Sequence, residues 1–340
     1  MAETSRRAVT PDDSLPPVEP PSAGFLVQLF LVPAIIVGII VAVWIAFHWL
    51  AQLGNDPEGY LKALRRPTEG RWQAALNLAN DLRGPAGRVL KNDATLATAL
   101  AGVLTDEVAS GRPRAAGYGG EQSRALCDYL CRALGEFAVP EAAAPLVARA
   151  ADTTEPRVAR SAVEALAVLA ANLTAAGRGF DDPAAVTAAV LDASRSDDAG
   201  VRSAAAFALG VIGGAGAADR LAALEADAAE DVRFNAATGL ARLGRPEAYA
   251  TLAEMLALPD VPVAAGDESA QAGRYRRALI VVNALKAVGL LVDAARAPPP
   301  EAVAAAVAKL ADDPVADVRA AAAALAGKFD RVSPEANGTP

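Results

Sequence analysis

The sequence predicts an all-α fold: an α-solenoid of about seven stacked helix pairs, preceded by one transmembrane helix. Three observations predict it. The pattern VRSAAAFALG at Val201–Gly210 is rewritten as VRFNAATGL at 232–240, VRAAAAAL at 318–325 and VARSAVEAL at 158–166, with weaker copies at 124–135 and 277–285. The closing residues Leu134, Leu166, Leu209, Leu240, Leu285 and Leu325 are 32, 43, 31, 45 and 40 residues apart, the range of a helix-pair repeat. The 340 residues are 53% hydrophobic but only 5% aromatic. The interior must therefore be built from Ala, Leu and Val, which suits closely packed helices better than one thick globular core. Finally, no charged residue occurs from Phe25 to Leu53.

Residues 1–23 are rich in Pro, Ser, Asp and Glu and poor in large apolar residues. Such a segment cannot offset its ordering entropy, so a disordered Pro-rich tail is expected, with a second disordered tail at 331–340. Residues 24–53 follow as the transmembrane helix. At about 1.5 Å per residue the stretch spans roughly 40 Å, enough to cross the hydrocarbon core. A cleaved signal peptide would have a shorter apolar region with basic residues directly before it, whereas Arg6 and Arg7 lie far upstream. Trp44, Phe47 and Trp49 gather at one end, as an interfacial aromatic belt would. Ala34, Gly38, Ala42 and Ala46 recur every fourth residue and form a small-residue stripe on which another membrane helix, or a second copy, could pack. Basic residues favour the cytoplasmic side of a span. Lys62, Arg65, Arg66 and Arg71 outnumber Arg6 and Arg7, so the solenoid is expected in the cytoplasm, with an extracytoplasmic solenoid as the alternative.

The solenoid is expected over 55–330, with pairs near 57–83, 85–135, 138–172, 181–213, 214–244, 245–292 and 298–329. First helices follow Pro or Gly, as in DDPAAVTAAVLDA at 181–193, because proline at a helix start loses no bond the helix needs. Second helices follow acidic turns, which cap free amides and complement the helix dipole. In the fourth pair Val201, Ala205, Ala208, Leu209 and Ile212 make one apolar stripe, which stacked neighbours can bury.

An acidic turn, then Val-Arg, then Ala-rich spacing to Ala-Leu-Gly resembles HEAT repeats of the bilin-lyase-like subgroup. It is clearest in SDDAGVRSAAAFALGVIG (196–213), AEDVRFNAATGLARLG (229–244) and PVADVRAAAAALAG (314–327). The resemblance implies a structural ladder of hydrogen bonds between neighbouring repeats. It assigns that ladder to Asp198 with Arg202, Asp231 with Arg233, and Asp317 with Arg319. The third repeat departs, with Arg157 and Arg160 placed around Val158. The subgroup also includes bilin lyases, so the resemblance admits a tetrapyrrole lyase or chaperone as an alternative function, although it carries over no catalytic residue.

Three stretches break the rhythm. Thr105–Gln122 and Pro259–Gly273 fall within pairs and should emerge on one edge, while Asn172–Asp182 falls between pairs and should emerge on the other. Insertions in repeat arrays mark binding faces. Arg112, Arg114 and Tyr118 are the residues there best suited to contact a partner. As a loop residue, Arg112 is expected to be replaceable by Ala without loss of stability.

Catalytic chemistry is not written in the chain. The single histidine, His48, lies in the apolar N-terminal stretch, so no Ser-His-Asp or Cys-His arrangement can form from the solenoid's own residues. Cys127 and Cys131 share a helix face with Leu130 and Leu134 and read as small core residues. A structural zinc site would need two more ligands. No GxxxxGK[ST] phosphate loop occurs, and the net charge of −8 disfavours nucleic acid, which needs a clustered basic surface. No cofactor, metal or catalytic residue is expected. The function read from these features is a membrane-anchored scaffold or adaptor that binds a partner protein, alternatively an accessory subunit held to a membrane complex through its transmembrane helix.

Overall fold

The computed structural model describes residues 22–52, 57–66, 68, 70–85, 87–152, 154–264 and 266–332. Of the expected tail at 331–340, residues 331 and 332 belong to the last helix and the rest lie outside the described residues, as does nearly all of the tail at 1–23. The chain divides into two units, 1–54 and 55–340.

The first unit contains one helix, α1 (Ala23–Gln52), with Pro33 inside it. From Val27 to Phe47 its mean hydropathy is 2.9 and no residue is buried. The helix is long and apolar enough to cross a membrane. Two other helices meet the same criteria of length and composition, Pro156–Ala175 and Glu268–Ala295, but about half of each is buried within the second unit. Ala34, Gly38, Ala42 and Ala46 are exposed on α1, and a Cβ added at Gly38 would meet nothing within 4 Å.

Every element of the second unit, among the described residues, is helical. The pairs are α2 (Pro57–Arg65) with α3 (Arg71–Arg83), and the short α4 (Gly87–Leu90) and α5 (Ala94–Ala109) with α6 (Tyr118–Gly135). They continue with α7 (Ala143–Ala150) and α8 (Pro156–Ala175), α9 (Pro183–Ala193) and α10 (Ala199–Ile212), and α11 (Ala217–Leu224) and α12 (Glu230–Arg242). The last are α13 (Tyr249–Leu256) with α14 (Glu268–Ala295) and α15 (Glu301–Lys309) with α16 (Ala316–Val332). Proline opens α2, α8 and α9. Asp93, Asp182, Asp198 and Asp267 each accept a backbone N–H at 2.9 Å and so cap α5, α9, α10 and α14.

The second helices pack in sequence, α3 on α6, then α8, α10, α12, α14 and α16, and first helices such as α7 and α9, or α13 and α15, make the other layer. This is an α-solenoid. All six repeating leucines lie between the layers, from Leu134, Leu166 and Leu209 at 0% exposed to Leu325 at 5%. Small residues let the second helices approach closely. A Cβ at Gly210 of α10 would stand 2.4 Å from the Gly239 Cα of α12, and one at Gly135 of α6 would stand 2.9 Å from the Ala165 Cα of α8.

The three expected insertions are shorter than the sequence suggests. Between α5 and α6, residues 110–117 include the 3-10 turn Arg112–Arg114, with Pro113 buried. The capped start of α14 absorbs the end of 259–273, and α8 runs to Ala175. There the Asn172 Nδ2 donates to the Gly135 carbonyl at 3.1 Å, fastening α8 to α6. Glycine and polar residues that read as loop are used here for close packing and caps.

Candidate binding groove

Of the three residues expected to contact a partner, Arg112 and Tyr118 line one cleft and Arg114 lies outside its lining. Arg112 donates to Glu107 Oε2, which also accepts from Arg71 Nη1 at 2.7 Å, while Ser123 donates to Glu107 Oε1. The Glu107 side chain is 2% exposed. Burial alone would raise its pKa, but hydrogen bonds from Ser123 and Arg71, the Arg71 charge and the Arg112 bond hold it below the usual carboxylate range. Arg112 therefore neutralises a buried acid, which corrects the expectation that it is a dispensable loop residue. Arg114 Nη2 donates to Thr154 Oγ1 at 3.3 Å and lies 3.6 Å from Asp152, tying the second pair to the third. Tyr118 alone is largely free, 67% exposed at the start of α6, beside Trp72 at a cleft of about 210 Å³.

The ladder is present with different acids. Arg202 reaches forward to Asp227 with two bonds, Nε to Oδ2 at 2.8 Å and Nη2 to Oδ1 at 2.9 Å, not to Asp198, whose carboxylate is spent capping α10. Its Nη1 also donates to the carbonyls of Ser196 and Asp197. Arg233 and Arg319 repeat that backward contact, donating to the carbonyls six residues earlier, Asp227 at 3.3 Å and Asp313 at 2.6 Å. Arg233 pairs with Glu254 at 2.9 Å rather than with Asp231, which takes Arg276 of α14 at 2.6 Å. Arg319 does not pair with Asp317. That acid lines a groove beside Tyr275 and Leu279 and makes no ion pair among the described residues. The buried rung before it is Arg277 to Asp313, 2.6 Å apart with side chains 8% and 2% exposed.

The ladder acids are thus Asp227 and Asp313, each at the turn six residues before an arginine. Their Oδ1 atoms accept the Ala229 and Val315 N–H groups at 2.9 Å and close Asx turns. Both turns read D-x-x-x-D-x-R in the sequence, 227–233 and 313–319. The second Asp of each lies in the first helical turn, where it faces the dipole and not its own arginine.

One surface collects side chains that the ladder leaves unused. Between α10, α12 and α14 lies a groove of about 450 Å³, lined by Ser203, Phe207, Thr238, Arg242, Asn283 and Lys286 among others. Phe207, Thr238 and Asn283 stand at one repeat position, six residues past Val201, Val232 and Arg277, where the alanine-rich helix admits a different side chain. That register is the signal by which the sequence marks the groove, and sequence reasoning passed over it. The Arg242 guanidinium lies 4.9 Å over the Phe207 ring. Burial pulls its pKa down, with no carboxylate acting against that shift. Among the described residues neither Arg242 nor Lys286 is in an ion pair. Asp231 is the acid on the lining, and Arg276 already neutralises it. Asn235 Nδ2 donates to Ser203 Oγ at 2.8 Å, and Asn283 is exposed. Leu290, 44% exposed, extends the apolar part of the lining. The groove therefore offers an aromatic floor, amide and hydroxyl groups, and two unpaired cations.

Cys127 and Cys131 are wholly buried in α6. Burial pushes the Cys127 thiol up to about 12 and raises Cys131 as well. Thiols so shifted are poor nucleophiles and poor metal ligands near neutral pH.

Solved structures similar to this chain include an engineered protein, at 18% identity, covering 82% of this chain and 98% of that one, with a TM-score of 0.37. Human deoxyhypusine hydroxylase in complex with glycerol is 19% identical, with 82% and 97% covered and a TM-score of 0.32. YibA of Escherichia coli is 16% identical, with 84% and 96% covered and a TM-score of 0.35. At these scores the likenesses say nothing of activity. No curated protein sequence matches the chain. The family model for HEAT repeats matches residues 187–270, most of α9 to the first turn of α14. That span holds the Arg202–Asp227 rung and the α10 and α12 walls of the groove, while the α14 wall lies beyond it, and the pairs on either side stack on the matched repeats in the same two layers.

Proposed function

We propose that this chain is a single-pass membrane protein whose solenoid serves as a scaffold, docking a partner polypeptide in the groove between α10, α12 and α14 without carrying out a reaction of its own. The observation that carries the reading is the groove itself. It crosses three successive second helices. Phe207 packs its inner side on the core and carries Arg242 over its ring, while Asn283 and Lys286 are exposed on the lining and, among the described residues, Arg242 and Lys286 are in no ion pair. HEAT repeats are protein-interaction modules as a class, and stacked repeats create extended binding surfaces.

The anchor part of the proposal rests on α1, whose apolar surface from Val27 to Phe47 is unburied and would be costly to leave in water. The basic residues after it, Lys62, Arg65, Arg66 and Arg71, outnumber Arg6 and Arg7 before it and favour a cytoplasmic solenoid by the positive-inside rule, with an extracytoplasmic solenoid as the alternative. The stripe Ala34, Gly38, Ala42 and Ala46 leaves α1 open to a partner helix or a second copy. Two measurements test the anchor. The full chain should stay in the membrane pellet through alkaline carbonate extraction. A fluorescent protein fused after Pro340 should mature, while alkaline phosphatase fused there should be silent. Release by carbonate would remove the anchor from the account, and an active phosphatase would put the solenoid on the other side.

A further inference from the structure

We infer that the segment docked in the α10–α12–α14 groove is acidic, with carboxylates seated against Arg242 and Lys286 and an apolar side chain against Phe207 and Leu290; the inference rests on the docking reading above. Most solenoid arginines with a short-range contact are already bound to acids or carbonyls, as Arg71, Arg202, Arg233, Arg276 and Arg277 are. Arg242 and Lys286 differ. They line one groove, and among the described residues neither has a carboxylate partner, although the chain carries 40 Asp and Glu against 32 Lys and Arg. The groove therefore presents two cations beside an aromatic ring on an otherwise acidic chain, a surface complementary in charge to a segment that carries carboxylates.

The guanidinium of Arg242 is held against the Phe207 ring, so it is presented in a fixed orientation for a charge-assisted bond. Asn283, which is exposed, and the free side-chain oxygen of Asn235 offer a donor and acceptors to a peptide backbone. An acidic polypeptide satisfies all of these groups at once. Nucleic acid fits less well, because two cations amid a net charge of −8 give little counterion release.

The test pans a random dodecapeptide library, displayed on phage, against the full chain in lipid nanodiscs. Enriched peptides are then labelled and titrated by fluorescence anisotropy against the wild type, an Arg242→Gln/Lys286→Gln variant, and Asn283→Trp, which fills the groove from an exposed position. The expected result is enrichment in Asp and Glu and loss of binding to Asn283→Trp. The double variant should bind about tenfold more weakly, from two partly exposed charge pairs. Replacing Glu by Gln in the peptide should cost a similar factor in the wild type and little more in the double variant. Peptides blocked by Asn283→Trp but neither acidic nor sensitive to the double variant would overturn the inference while leaving the docking reading intact. Peptides that ignore Asn283→Trp, or no enrichment at all, would overturn both.

Discussion

Replacing Gly210 by alanine should destabilise the solenoid although alanine is the better helix former. In an open helix interior Gly→Ala gains about 1 kcal/mol, because alanine loses less backbone entropy on folding. At Gly210 the new Cβ would stand 2.4 Å from the Gly239 Cα, 3.3 Å from its carbonyl carbon and 3.4 Å from its oxygen. Carbon atoms in contact prefer about 3.5–4.0 Å, so α10 and α12 must separate by roughly an ångström. The obstacle is backbone, so no side-chain rotation relieves it. Overpacking of a well-packed core costs about 1–3 kcal/mol, and opening this seam also loosens Ala206, Leu209, Ala236 and Leu240, all buried beside it. The net loss is about 1–2 kcal/mol. Gly102 of α5 is the control, since a Cβ there meets nothing within 4 Å, and Gly102→Ala should gain about 0.5–1 kcal/mol. At about 2–4 °C per kcal/mol for a unit of this size, Gly210→Ala should lower the melting midpoint by about 2–8 °C and Gly102→Ala should raise it by about 1–4 °C. Circular dichroism at 222 nm on the full chain in micelles reads both. If the two substitutions shift the midpoint in the same direction, the close approach of α10 and α12 is wrong.

Glu107→Gln should cost about 3 kcal/mol, since it leaves Arg71, 13% exposed, without its counter-charge. Because the folded pKa of Glu107 is lowered, its stabilisation is present above the ordinary carboxylate pKa and disappears as pH falls through the folded value. The wild type should therefore lose its advantage over Glu107→Gln on acidification, and a gap that is constant with pH would contradict the network. Arg202→Lys should lose about 1–2 kcal/mol in urea denaturation, because an ammonium cannot reproduce the paired bonds to Asp227 together with those to two carbonyls. Cys127 and Cys131 should stay unreactive to Ellman's reagent in the folded protein at pH 8 and react fully once urea unfolds it. Rapid labelling of the native state would mean that α6 is not buried as described. Co-expression with a bilin should yield a colourless protein. A bound pigment would favour the lyase function that the subgroup resemblance admits.

The helix pairs are legible because their physics is local. A leucine that closes an amphipathic stripe needs only helical spacing to be recognised, and the six that do so are all buried. The ladder is less legible, because Asp227 and Asp231 both precede Arg233 within one short turn, and their division of labour is decided by which neighbouring repeat each faces. Arg112 misled for a related reason. Its surroundings are rich in Gly and Pro, which read as loop, yet Gly120 is required by packing: a Cβ there would sit 1.8 Å from the Ala115 carbonyl oxygen. The groove depends on a comparison across three repeats at one position, Phe207, Thr238 and Asn283, and each of these residues is unremarkable within its own helix.

Photocrosslinking in native membranes tests the central claim most directly. A benzophenone amino acid is placed at Asn283 in the groove, or at Val89, 81% exposed on α4, as a control away from it. The account predicts a discrete crosslinked species in the membrane fraction from position 283, absent from position 89 and diminished by Arg242→Gln/Lys286→Gln. The same species from both positions, or none from position 283, would contradict a scaffold that works through this groove.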